Sequence, residues 1–140
     1  MNKQVLALEA LLIIFPLILV SGAGWFLHLS LVLTSPPELL NQQILALAFN
    51  TVGVVGVIFL GFEVSAHVDD RVCTMDNPII GFLIHLAAFI SVLSIAVRVV
   101  PNIFPNLIQF SLSTFTIGVP ALIPYVHLML SKYLANATDD

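Results

Sequence analysis

Charged residues are scarce in this chain of 140 residues: it has 4 Lys and Arg and 8 Asp and Glu, or 9% of the sequence. Soluble domains carry about a quarter charged residues, so this chain cannot cover a globular fold with a solvated surface. Four basic residues are also too few to form the positive patch that binds nucleic-acid phosphates. The composition therefore excludes an ordinary soluble enzyme and a nucleic-acid-binding protein.

Cysteine and the known catalytic motifs are nearly or wholly missing. The single cysteine, Cys73, cannot form an internal disulfide and lacks the partners of a zinc site. The sequence has no nucleophile elbow, no HExxH and no glycine-rich phosphate loop, and no pair of carboxylates lies deep in an apolar segment. We therefore expect the chain to have no catalytic activity of its own.

Apolar residues, in contrast, make up 59% of the sequence and gather in long runs. A helix needs about 20 mostly apolar residues to cross a hydrocarbon layer roughly 30 Å thick. Four segments meet this condition: Val5 to Leu33, Ile44 to Ala66, 78 to Arg98, and Asn106 to Ser131. Unpaired backbone groups are costly in lipid, so each segment should be helical. The sequence predicts an all-α integral membrane protein with four transmembrane helices in one domain, residues 1–140.

Short connections between the four segments predict an up-down-up-down antiparallel bundle. In such a bundle Lys3, Arg71 and Lys132 fall on one side of the bilayer and Arg98 on the other. Basic residues are enriched in cytoplasmic loops, so we expect both termini in the cytoplasm or its topological equivalent. The Asn77-Pro78 pair predicts an N-cap followed by proline at the first position of the third helix.

The fourth segment carries one narrow polar stripe. A helix turns about 100° per residue, and at this rotation six residues lie on the stripe: Ser113, Thr116, Pro120, Pro124, His127 and Ser131. Each proline removes a backbone hydrogen bond and kinks the helix. The stripe is either a packing face whose hydroxyls satisfy the kink, or the lining of a groove for an ion or ligand.

The second and third segments also have distinct faces. Three small residues of the second segment lie on one side and favour close packing against a neighbouring helix: Ala46, Gly53 and Gly56. We expect Asn50, on the same side, to form a hydrogen bond across that contact. A stripe of the third segment comprises Ala87, Ser91, Ser94 and Arg98. His85 lies nearly opposite this stripe. If the serines face inward, His85 faces lipid, a pigment or a partner subunit.

Four histidines are the candidate cofactor ligands: His28, His67, His85 and His127. A b-type haem needs two imidazoles at matching depth, which His85 with His127, or His67 with His127, could supply. A chlorophyll needs one histidine beside a small residue, as in the pairs Gly24–His28 and Gly81–His85. The alternative is structural: polar residues near helix ends pair locally at the interface. Glu63, His67, Asp69 and His127 have suitable ligand types for a metal but no diagnostic spacing.

Three functional hypotheses follow. The first is an accessory subunit of a larger respiratory or photosynthetic membrane complex, in contact with other membrane subunits and lipid, and holding a haem or chlorophyll through its histidines. The second is a small oligomeric channel or transporter lined by the polar stripe of the fourth segment. The third is a bis-histidine b-type electron carrier.

Overall fold

The computed structural model describes residues 3–69, 77–100, 105–106, 108–109 and 119–136, and no strand occurs among them. Its helices are α1 (Lys3–Thr34), α2 (Pro37–Val68), α3 (Pro78–Val99) and α4 (Leu122–Asn136). The first three are long and apolar enough to cross a membrane. An all-helical chain of membrane type is therefore confirmed. The predicted fourth span, 106–131, falls partly outside the described residues.

Helices α1 and α2 form an antiparallel hairpin. The side chain of Ile14 lies against Gly61, and the Trp25 indole donates a hydrogen bond of 2.7 Å to the Thr51 hydroxyl. Only Ser35 and Pro36 separate the two helices. The sequence placed the start of the second span near residue 44, whereas α2 begins seven residues earlier.

The early start of α2 has a local cause. Pro37 stands at the first helical position, where its preset φ costs nothing and its missing N–H is not needed. Glu38 adds a negative charge in the first turn, where it interacts favourably with the helix dipole. Hydropathy identifies only the part of a helix that fits the hydrocarbon layer, so it does not predict the polar first turns of α2.

A single π-helical turn, Ala10–Ile14, interrupts α1 directly after Glu9. In this turn the Phe15 N–H donates to the Ala10 carbonyl, five residues back. Pro16 follows; it has no N–H, and its ring would clash with the carbonyl four residues before it. The wider turn accommodates that defect, and π-turns of this kind are frequent at functional sites.

Helices α2 and α3 cross closely at Gly56. A Cβ atom added to Gly56 would overlap the Ala87 side chain and lie 3.2 Å from the Leu83 carbonyl oxygen. Ala46 and Gly53, on the same side of α2, are also buried. The small-residue face therefore packs as expected, although the Asn50 amide nitrogen is buried without a hydrogen-bond partner among the described residues.

The serine stripe of α3 faces the interior. Ser91 and Ser94 are 3% and 0% exposed. Their hydroxyls donate to carbonyls of their own helix, at 2.9 Å to Ala87 and 2.7 Å to Ser91. The predicted cap is also present, since the Asn77 side chain accepts a 3.0 Å bond from the Ile79 N–H.

Helix α4 follows a short 3₁₀ turn that contains Pro120. Its 15 residues rise about 22 Å, which is less than the hydrocarbon thickness. Pro124 and Leu128 are buried, and Leu128 belongs to a core with Leu6, Leu60 and Ile84. The described part of α4 therefore packs against all three longer helices.

Candidate functional site

Polar side chains from α1, α2 and α4 meet at one end of the molecule. This group, which we call the end cluster, comprises Glu9, Glu63, His67, His127, Ser131 and Lys132. Each of three side-chain contacts within it joins α4 to another helix. The cluster therefore fixes the position of α4 and gathers two carboxylates, two imidazoles and one ammonium.

Glu63 and Lys132 form the most buried ion pair of the end cluster. The Lys132 Nζ atom lies 3.4 Å from Glu63 Oε2, and the Glu63 side chain is 0% exposed against 26% for Lys132. Glu63 stands five residues before the end of α2, or about 8 Å along the axis. A carboxylate buried there needs a cation, because desolvation of an unpaired charge costs several kcal/mol, about 3 or more.

Glu9 and His127 form the shortest contact of the end cluster. The Glu9 Oε1 and His127 Nδ1 atoms are 2.6 Å apart, and the side chains are 14% and 37% exposed. An oxygen and a nitrogen at this separation share a hydrogen bond, and because an ionised carboxylate can only accept, Nδ1 is the donor when Glu9 is ionised. The other oxygen, Glu9 Oε2, is buried and has no hydrogen-bond partner among the described residues.

His67, one turn after Glu63 on α2, also contacts α4. Its Nε2 atom lies 2.7 Å from the Ser131 hydroxyl. His127 and Ser131, both on the stripe predicted for the fourth segment, thus bind other helices, and Pro124 is buried. Ser113 and Thr116, the other polar members, lie outside the described residues. The described polar members of the stripe therefore form a packing face.

His85 lies on a different surface of the molecule. Because the serine stripe faces inward, His85 points outward and is exposed. Its Nδ1 atom is 2.8 Å from the Tyr125 hydroxyl of α4, and the two rings meet edge to face. His85 stands seven residues into α3, about 10 Å along a helix of about 33 Å. It is therefore an exposed imidazole well inside the membrane-crossing length.

His28, on α1, belongs to neither group. Its Nδ1 atom is buried and finds no hydrogen-bond partner among the described residues. Trp25, one turn before it, bonds to Thr51 instead. The structure thus places the four predicted ligands in three separate surroundings: His67 and His127 in the end cluster, His85 on the outer face of α3, and His28 near the α1–α2 turn.

The arrangement disfavours a haem between His85 and His127. His85 contacts α4 at Tyr125, and His127 lies two positions further along α4. Two positions turn a helix by about 200°, so the two histidines lie on different sides of α4. The partly open cavity beside Tyr125 has about 10 Å³, room for one water and not for a macrocycle. Two open grooves of about 310 and 370 Å³ have no histidine in their lining. A macrocycle has no room in that cavity, and a bound one would sit on an outer surface.

The metal hypothesis gains nothing from the geometry. Among the residues that the structure describes, no group of three or more His, Cys, Asp and Glu side chains is close enough to hold a metal ion. Glu63, His67 and His127 instead contact α4 or α1 side chains.

Two important residues were not singled out from the sequence: Glu9 as a histidine partner, and Tyr125. Glu9 is the only acidic residue of the first span. It lies four residues after the start of that predicted span, and Glu63 lies three residues before the end of the next one, so the two carboxylates fall at similar depth in an antiparallel hairpin, which is a usable signal. Tyr125 carries no such signal, because its contact with His85 depends on how α4 rotates against α3.

Comparison with known proteins adds no further constraint: no protein-family model, no curated protein and no solved structure matches this chain. Function must therefore be argued from the end cluster and the outward face of α3.

Proposed function

We propose that this chain is a small, non-catalytic accessory subunit of a larger membrane complex, of respiratory or photosynthetic type, and that it binds other membrane subunits through the outer face of α3. The observation that carries the proposal is the exposed imidazole of His85, which is held by the half-buried Tyr125. An imidazole that faces lipid at this depth is expensive and is rarely retained without a function.

The surroundings of His85 suit a protein partner. Phe82 and Phe89 lie on the same side of α3, three positions before and four after it, and both are about 60% exposed. Tyr125 uses one ring nitrogen and leaves Nε2 directed away from that bond. An apolar surface with one polar group at its centre fits a transmembrane helix that supplies a hydrogen-bonding side chain, since such bonds help hold helices together in lipid.

The arrangement of the chain in the membrane is part of this proposal. We propose four spans in an up-down-up-down bundle, with both termini on the cytoplasmic or equivalent side. The end cluster supports the placement of both termini on the same side of the membrane, because Glu9 near one terminus and His127 near the other contact each other. Lys3 and Lys132 are then on the same side, in agreement with the positive-inside rule.

A cofactor is compatible with this function at His85. A histidine that ligates a metal usually has its other ring nitrogen held by a second residue, which fixes the ring orientation. When Nδ1 carries the hydrogen and donates it to the Tyr125 hydroxyl, Nε2 would be available to bind the metal of a haem or chlorophyll at the outer surface of α3.

The test is site-specific photocrosslinking in the native membrane. A photoreactive amino acid replaces Phe82 or Phe89 in separate variants, and the matched control positions are Leu12 and Leu19, which are equally exposed on α1. We expect both α3 positions to crosslink one defined membrane protein, with the yield lost in His85→Leu. Equal, lipid-only labelling from both helices would refute the proposal.

An absorbance spectrum of the gently extracted complex, oxidised and reduced, tests the cofactor. A chromophore that is lost in His85→Leu and kept in His28→Leu would assign the ligand. A colourless protein that co-purifies in fixed ratio would leave a structural subunit. A colourless protein that is extracted alone would favour the channel hypothesis, which then predicts flux in liposomes that Ser113→Leu or Thr116→Leu abolishes.

A further inference from the structure

An open groove runs along the α1–α2 hairpin at the end where α1 begins and α2 ends. We call it the α1–α2 groove; its volume is about 310 Å³. Its wall on α2 is the last turn of that helix, which ends at Val68, and its wall on α1 is formed by Ala7, Ala10, Leu11 and Phe15. These α1 residues extend over about 12 Å of helix. The lining is apolar apart from one serine, so the groove suits a hydrocarbon chain.

Small residues and the π-helical turn shape this groove. Ala7 and Ala10 leave space on α1, and Ala10 is the first residue of the π-helical turn. Leu11 and Phe15 are 64% and 59% exposed, so the groove lies at the outer surface of the hairpin. Side chains that line an unfilled space lose dispersion contacts on one side. In the hydrocarbon layer, the molecule that restores those contacts is a lipid acyl chain.

Two opposite charges stand at the membrane end of the α1–α2 groove. Lys3 lies one turn before Ala7 on α1, and Asp69 lies one turn after Ser65 on α2, where its N–H donates a 3.0 Å bond to the Ser65 carbonyl. Residues four positions apart share one face of a helix, so both charges continue the walls of the groove. Both side chains are exposed and lie just outside the apolar segments, at the level of the lipid headgroups.

We propose that the α1–α2 groove binds one phospholipid whose headgroup carries a phosphate and a primary ammonium, as in phosphatidylethanolamine. The Lys3 ammonium attracts the phosphate, the Asp69 carboxylate accepts a hydrogen bond from the headgroup ammonium, and one acyl chain lies over Ala7 and Ala10. Lys3 and Asp69 also interact within the chain, and the headgroup adds to those contacts. A choline headgroup has no N–H to donate, and a glycerol headgroup has no positive charge for Asp69.

The second open groove lacks this combination. It has about 370 Å³ and lies between α1 and Pro120, without any residue of α2 in its lining. It begins at Leu12, nine residues or about 14 Å beyond Lys3. An acyl chain fits there, but the walls do not lead to a cation and an anion at the membrane surface. The second groove should therefore not select a headgroup, which makes it an internal control.

The test identifies the lipid that the full chain retains. The protein is placed in nanodiscs that contain equal parts of phosphatidylethanolamine, phosphatidylcholine and phosphatidylglycerol, released in a mild detergent, and measured by native mass spectrometry. We expect one retained phosphatidylethanolamine per chain. Its enrichment over phosphatidylcholine should be about fivefold, the factor that one net hydrogen bond provides.

Two variants remove the charges one at a time. Asp69→Asn should retain phosphatidylethanolamine and phosphatidylcholine equally, because the acceptor for the ammonium has lost its charge. Lys3→Gln should lower the retention of every phospholipid about fivefold, the weight of one basic residue at a membrane surface. The matched control is Glu38→Gln, which removes an exposed carboxylate at the opposite end of α2 and should leave the retained lipid unchanged.

Two further variants fill the groove from opposite walls. Ala7→Phe acts from α1 and Ser65→Phe from α2, and each should abolish the retained lipid while helical circular dichroism stays unchanged. The control is Val20→Phe, which lines the second groove and should keep the headgroup preference. His85→Leu should also keep it, because this site is independent of the outer face of α3.

The lipid site is overturned by any of four results. The first is a retained lipid with the same composition as the nanodisc, which means unselective contact. The second is preferential retention of phosphatidylglycerol. The third is a preference for phosphatidylethanolamine that survives Asp69→Asn, and the fourth is a lipid that survives in a folded Ala7→Phe or Ser65→Phe variant.

Discussion

The end cluster and the outer face of α3 use histidine in opposite ways. In the end cluster the imidazoles are partly buried, and each contacts a side chain of another helix: His127 binds Glu9 and His67 binds Ser131. On α3, His85 also has a partner, the half-buried Tyr125, but the imidazole itself lies exposed at a depth where the surroundings are lipid or protein.

The end cluster therefore holds the helices of this chain together, whereas the outer face of α3 is the surface that we propose binds another subunit. The contacts of the end cluster explain why a helix as short as α4 keeps its place, because polar contacts in an apolar environment help specify which helices pack together. His85 is not needed for that purpose, since Leu128 and the surrounding core already hold α4 near α3. Substitutions in the two regions should therefore have different consequences.

The largest effect is expected for Lys132→Met. The substitution removes the ammonium that lies 3.4 Å from Glu63, a side chain that is 0% exposed, and leaves a buried carboxylate without this cation. Breaking such a pair should destabilise the protein by about 3 kcal/mol. The measurement is the free energy of unfolding in mixed micelles, followed by helical circular dichroism during titration with a denaturing detergent.

The double variant Lys132→Met with Glu63→Gln is the control for this prediction. It removes both charges at once, so much of the lost stability should return. A double variant that is as unstable as the sum of the two single variants would mean that the ion pair does not couple α4 to α2.

A smaller effect on stability is expected for Tyr125→Phe on the outer face. The change removes one hydroxyl that contacts His85 and leaves the buried part of the ring in place, so the cost should be about 1 kcal/mol. The yield of photocrosslinks from Phe82 should fall by a larger factor than stability suggests, because His85 loses its orientation. If stability and crosslinking fell in proportion, the pair would serve folding alone.

The elements that depend on local sequence were well predicted. Asn77 and Pro78 cap α3 as expected, since a cap needs only its own first turn, and the small residues of α2 pack against a neighbour as their helical spacing indicated. The sequence left open which face of α3 looks inward, and the structure places its serines there. The start of α2 differed because hydropathy reports the part of a helix that fits in lipid. Pro37 and the polar residues after it extend the helix beyond that part.

The histidine partners could not be read from the sequence for a different reason. Glu9 and His127 are 118 positions apart, and which residues meet depends on how each helix rotates about its axis. Apolar helices give weak rotational signals, since their lipid-facing and protein-facing sides have similar composition. The sequence therefore identified the ionisable residues near the helix ends, while the pairs formed by His67, His85 and His127 required the packed structure.

The smallest effect is expected at a contact that belongs to neither region, the bond from the Trp25 indole to Thr51. Thr51→Val keeps the shape of the side chain and removes the acceptor, and hydrogen bonds between membrane helices are worth about 0.6 kcal/mol on average. Trp25 is the only tryptophan of the chain, so its emission spectrum reports this site directly. We expect a shifted emission maximum and nearly unchanged stability. A loss as large as that of Lys132→Met would show that the hairpin contact, rather than the end cluster, dominates the stability of the molecule.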